Sequence, residues 1–92
     1  VEADLAANEA ALRLLCVRAE LIAGAETPQE DLDLRREYQM QRLVASMSRG
    51  ERVGAADLDA LALEWIAVGP VEPAVHSALF ARFERCREGG QS

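Results

Sequence analysis

Three short breaks divide a chain otherwise written in strong helix formers, and they leave it little to become except a set of helices. Gly24 follows a long Ala- and Leu-rich stretch and suits the left-handed position just past a helix end. In Thr27-Pro28-Gln29-Glu30 the Thr27 hydroxyl can cap, Pro28 can take the first helical position, and Glu30 can complete a capping box. The second break, Ser48-Arg49-Gly50-Glu51-Arg52-Val53-Gly54, is polar and carries two glycines. In the third, Gly69-Pro70-Val71-Glu72-Pro73, Pro70 forbids helix continuation and Pro73 can open the next helix. Between the breaks Ala, Leu, Arg, Glu and Gln dominate, and no stretch alternates apolar with polar residues over strand length. The pattern predicts helices near 4–23, 28–48, 55–68 and 73–88 and no strand. The fold class is all-α, a small bundle of about four helices with the last two as an antiparallel hairpin.

Length and charge narrow the rest. Ninety-two residues, 50% hydrophobic and 28% charged, make a single folded helical domain over 1–92 with one core. Sixteen acids face ten basic residues, all Arg, for a net charge of −6. Such a surface repels phosphate backbones and argues against generic DNA or RNA binding by this segment. No apolar run approaches the roughly 20 residues that span a bilayer, so no membrane partner is expected. The start at Val1 has neither a basic n-region nor an apolar core, so it reads as no signal peptide. The end, Gly89-Gly90-Gln91-Ser92, reads as a flexible polar tail. Together they suggest a piece of a longer cytoplasmic protein. Cys16 and Cys86 lack a C-x-x-C spacing and fit apolar helix positions, so both read as buried, reduced thiols.

The first helix carries two apolar seams. Leu5, Leu12, Leu15, Ala19 and Ile22 follow one three-four spacing with Asn8 as a polar interruption, and Ala10, Leu14, Val17 and Leu21 follow another. Glu9, Arg13 and Glu20 share a narrow polar strip between them. A helix apolar on two sides is either central in its domain or covered by something else. The second seam is therefore either core, covered by Leu34 and Tyr38, or a contact between two copies of the chain. In the second helix Leu32, Met40, Leu43, Val44 and Met47 gather on one side and Leu34, Tyr38 and Ala45 on the other. The third helix aims Leu58, Leu61, Ala62, Trp65 and Val68 along one stripe. The fourth aims Val75, Leu79, Phe83 and Cys86, with Phe80 at its edge.

Catalytic chemistry is hard to find in these residues. The only His, His76, has no nucleophile placed beside it on the helix, and it reads as structural. The chain has no Lys, which removes Schiff-base chemistry and the P-loop lysine. Glu30, Asp31 and Asp33 fan apart around a helix start, where acids oppose the dipole, and lack a calcium-loop glycine. No cofactor or metal set is recognisable. Arg82, Arg85 and Arg87 form a modest basic patch, which also suits a helix C-terminus.

One stretch resembles a known family. Leu63-Glu64-Trp65-Ile66-Ala67-Val68-Gly69-Pro70-Val71, followed by Leu79-Phe80-Ala81-Arg82-Phe83 and Cys86, is similar to the bacterial domain-of-unknown-function-349 repeat: a Trp near a helix end, a Gly-Pro-Val turn, then an aromatic-x-Arg-Phe element. The likeness covers about 30 residues of the C-terminal third. Glu72 and Pro73 depart from the Pro-Arg that often follows the turn, and Phe80 stands where a Trp is common. The resemblance implies a piece of a longer, multi-repeat, helix-rich intracellular bacterial protein of unknown activity. Read from the residues alone, Trp65, Gly69, Pro70, Phe80 and Phe83 form a structural motif: Trp65 fills the hairpin, Gly69 permits a left-handed turn, Pro70 stops the helix, and Phe83 packs back on Trp65.

These readings lead to a non-enzymatic interaction or scaffold module whose partner is another protein or a neighbouring repeat. A homodimer is the further option. The candidate contact residues are Leu14, Val17 and Leu21 on the first helix and Arg82 and Arg85 on the fourth. The alternative is an accessory segment of a nucleic-acid or ribonucleoprotein factor.

Overall fold

The computed structural model describes residues 4–49 and 58–89 of the chain. Four helices run α1 (Leu5–Ala23), α2 (Leu32–Arg49), α3 (Leu58–Ala67) and α4 (Pro73–Gly89), with a 3-10 turn, Gln29–Asp31, leading into α2. The described residues contain no strand, so the fold is an all-α bundle. No described helix is long and apolar enough to cross a membrane. The predicted start of the third helix at 55, and residues 50–54 of the second break, lie outside the described residues.

Local chemistry sets the helix ends. Asp4 caps α1 by accepting the Ala7 N–H at 3.0 Å. Gly24 closes it in the left-handed conformation, φ 71°, as its position suggested. Pro73 opens α4, where its missing N–H costs no hydrogen bond. The capping box expected at Thr27 does not form. Pro28 precedes a 3-10 turn that has no side-chain cap, because the Thr27 hydroxyl is engaged elsewhere: it donates to Glu20 at 2.8 Å and accepts from Arg35 at 2.9 Å.

The core is a three-helix affair. Leu12, Leu15, Cys16 and Ala19 of α1 pack with Leu61 and Trp65 of α3 and with Leu79, Phe83 and Cys86 of α4. The central position of α1 explains its two apolar sides: it packs against α4, α3 and α2 in turn. Its first seam is buried only in the middle, since Leu5 and Ile22 near the helix ends are exposed. Its second seam belongs to the fold as well. Val17 is completely buried, Leu14 and Leu21 are half-buried, and Ala10 is exposed. Val17 is thus corrected from contact residue to core, because α2 docks on α1 and its Leu34 and Tyr38 are themselves half-buried.

The α3–α4 connection, residues 68–72, brings the last two helices together through large side chains. Trp65 lies 5.0 Å from Phe83, ring centre to ring centre, at an interplanar angle of 34°, and meets Phe80 edge-on at 5.7 Å. Gly69 works differently from the expectation. Its φ is not positive; what it supplies is clearance. A Cβ there would sit 2.6 Å from Asn8 Nδ2, which donates to the Pro70 carbonyl at 2.8 Å. The polar interruption in the first seam is a clasp on the Gly-Pro turn.

Candidate functional site: an exposed helix face and a closed charge network

The polar strip Glu9, Arg13 and Glu20 leads into the protein's main electrostatic feature. Arg82 reaches inward from α4, buried, and grips both oxygens of the equally buried Glu20 at 2.5 and 2.8 Å. Its remaining nitrogen donates to Asp31 of the 3-10 turn at 2.6 Å. Arg13 donates to Asp31 at 3.2 Å and to Glu9 at 2.9 Å. On the far side Thr27 joins Glu20 to Arg35, which also donates to the Ala25 carbonyl at 2.9 Å. Three carboxylates (Glu9, Glu20, Asp31) meet three guanidiniums (Arg13, Arg35, Arg82), so the formal charges cancel. Burial opposes the Arg82 charge, but the hydrogen bonds it donates to Glu20 and Asp31 outweigh that and raise its pKa.

This overturns the reading of Arg82 as a surface cation. Its guanidinium has two carboxylates in hand and is not free to meet a partner. Arg87 pairs with Glu84 on its own helix at 3.1 Å. Arg85 alone of the expected patch stays exposed without forming one of these pairs. The arginine of the aromatic-x-Arg-Phe element therefore ties α4 to α1 and to the turn before α2, while the flanking Phe83 fills the core.

The thiols are equally closed. Cys16 is fully buried and donates to the Leu79 carbonyl at 3.3 Å. Burial pushes its pKa up to about 12 despite the nearby Arg82 charge. Cys86, also free and buried, is raised by burial too. A thiol held protonated is a poor nucleophile. His76 is exposed, accepts from Trp65 Nε1 at 3.4 Å and stacks on the half-open Phe80 at 5.7 Å. No group of three or more His, Cys, Asp or Glu side chains is placed to hold a metal ion among the described residues.

No family model, curated protein or solved structure matches the chain. What it can do must be read from its own surface.

Among the described residues that surface has one organised apolar feature. On α2, Met40, Leu43, Val44 and Met47 stand at i, i+3, i+4 and i+7 and are between 55% and 77% exposed. No described residue of α2 enters the core cluster; the helix leans on α1 through its inner side, where Tyr38 carries Arg42 over its ring at 5.5 Å. The outer side changes character along its length. Its first two turns show Asp33, Arg36 and Glu37, all exposed, and its later turns show the apolar stripe. Leu63 and Ile66 on the outer side of α3 are also exposed, as a pair without such a series. The sequence grouped the α2 residues correctly on one side. Which of that helix's two sides faces water was not written in its periodicity.

Proposed function

We propose that this chain is a non-enzymatic helical interaction module of a longer intracellular, multi-repeat bacterial protein of the kind its motif resembles, and that it docks protein partners or neighbouring repeats through the outer face of α2. The observation that carries this reading is the Met40, Leu43, Val44, Met47 stripe, exposed on the outer side of a helix whose inner side alone packs on α1. Aligned apolar side chains of this size in water mark contact surfaces, and the i, i+3, i+4, i+7 series is the pattern of helix-to-helix docking. Two methionines in the stripe give it an adaptable surface. The non-enzymatic part rests on the described thiols and imidazole: Cys16 and Cys86 are buried with their pKa raised by burial, and His76 is engaged by Trp65 and Phe80. The two reduced cysteines fit an intracellular compartment. The accessory nucleic-acid reading draws no support from Arg82, which is internally neutralised. Submicromolar, steeply salt-dependent binding of labelled RNA or DNA would reverse that ranking.

Site-specific photo-crosslinking in the intact protein tests the proposal. A photoreactive residue in place of Val44 is expected to give protein adducts in cells, while one at Gln39, also exposed on α2 but off the stripe, gives few. Equal yields at both positions, or none at Val44, would rule out the stripe as a docking surface.

A further inference from the structure

We infer that α2 is a strap: it lifts from α1 as one unit, turning where the 3-10 turn passes into it at Leu32, while α1, α3 and α4 keep the core closed. Burial separates the two parts. Among the described residues no α2 side chain is fully buried, and Leu34, Arg35, Tyr38, Arg42 and Ala45 are half-buried. The core cluster closes from α1, α3 and α4 alone. Val17 is completely buried yet stands outside that cluster, on the side of α1 that α2 covers. Units that open below the global unfolding transition are those with few buried apolar contacts, and α2 has that character. The lift concerns the inner side of α2 and holds whatever meets its outer face.

The root of the strap is fixed and its latch is small. Asp31 is buried and held by Arg13 and Arg82, so the 3-10 turn stays with the core. A short 3-10 stretch running into an α-helix is a frequent hinge. Beyond it Arg35 is the latch, donating to the Ala25 carbonyl and the Thr27 hydroxyl at 2.9 Å each. Other side-chain contacts run within α2 and travel with it: Gln41 donates to Glu37 at 3.4 Å, and Arg42 lies over the Tyr38 ring. The closed form also carries a cost beneath the strap. Arg18 of α1 engages Glu64 of α3 with both terminal nitrogens and lies beside Tyr38, while its buried Nε has no hydrogen-bond partner among the described residues. Lifting Tyr38 away admits water to that Nε, which favours the open form. At the far end residues 50–57 join α2 to α3, a length that reaches roughly 26–29 Å when extended. The lift uncovers Leu14, Val17 and Leu21, so α2 governs access to the second seam of α1.

Freed of α1, a helix of 18 residues is marginal in water, so α2 amides exchange with solvent whenever the strap lifts. Native-state hydrogen exchange on the intact protein reads this directly. The amides of residues 36–47 are expected to share one opening constant, at least about a hundredfold larger than that of residues 15–19 in α1 and 79–83 in α4. Leu79→Val weakens the core and should lower protection in α1 and α4 by about fivefold. Protection in α2 should stay the same, because the core is closed in both forms of the strap. Thiol labelling gives a second reading from two neighbouring residues. Cys16 and Val17 are both completely buried, one against Leu79 of α4 and the other under α2. Val17→Cys is expected to react with a maleimide at least about a hundredfold faster than the native Cys16. Any one of four results overturns the inference: α2 protection equal to that of α1, protection that falls steadily toward one end of α2, a parallel loss in Leu79→Val, or labelling of Val17→Cys at the Cys16 rate.

Discussion

At Gly69 the lack of one methyl group decides how closely α1 can approach the turn before α4. The Asn8 amide occupies the space a Cβ would need while it holds the Pro70 carbonyl. Gly69→Ala is expected to push that amide aside and cost about 0.5–1.5 kcal/mol, the worth of the hydrogen bond, since the side chain can swing away without moving backbone. In an Asn8→Ala background the same substitution should cost much less, and urea denaturation of the four proteins of the cycle measures the coupling. Additive costs would show that Gly69 is required for its own backbone and not for the clasp. The sequence marked Gly69 as special and gave the wrong reason, because a close approach from 61 residues away leaves no local trace.

At the scale of the helices, Arg82 does most to join elements that are distant in sequence. It fastens α4 to Glu20 on α1 and to Asp31 at the entry to α2. Arg82→Met leaves two buried carboxylates without their shared counter-charge and is expected to cost about 3–5 kcal/mol by denaturant midpoint. Replacing Glu20 and Asp31 by Leu in the same chain should recover part of that loss, since a buried charged set exchanged whole for apolar side chains is often close to neutral. A full recovery would mean that the network sets helix register and adds no stability; no recovery would mean that Thr27 and Arg35 depend on it. Helix limits were legible because caps and prolines act within a few residues: Gly24 and Pro73 each marked an end correctly. The inward stripes of α3 and α4 were legible too, through Trp65, Leu79 and Phe83. The partners of Arg82 and the exposed side of α2 were not, because both depend on how helices assemble.

For the molecule as a whole, the charges of the closed network cancel, and the core answers to pH through its thiols. Unfolding exposes Cys16, whose ordinary pKa lies near 9, whereas the folded chain keeps it protonated up to about 12. Above pH 9 the unfolded state therefore binds fewer protons than the folded one, and stability falls as pH rises. The Cys16 contribution is fully present below about pH 9 and declines by about 1.4 kcal/mol per pH unit above it. Cys86, also raised, acts with the same sign. Cys16→Ala should flatten the decline between pH 9 and 11 in chemical denaturation, and an unchanged slope would place its origin elsewhere.

The pairing of α1 with α4, the first and last of the described helices, also bears on how the chain is made. Synthesis delivers α1 well before its principal partner, which is complete only after residues 73–89 have been translated and clear the ribosome. Until then Leu12, Leu15, Cys16 and Ala19 have nothing durable to pack on, and α2, emerging next, offers α1 only the half-buried side it shows in the finished fold. Cooperative folding must then wait for α4, because contacts of high sequence separation form only after the loop between them closes. A nascent chain halted before Arg82 and Phe83 emerge would hold α1, α2 and α3 with the apolar surface that α4 covers still open, which is the kind of species that chaperones and proteases act upon.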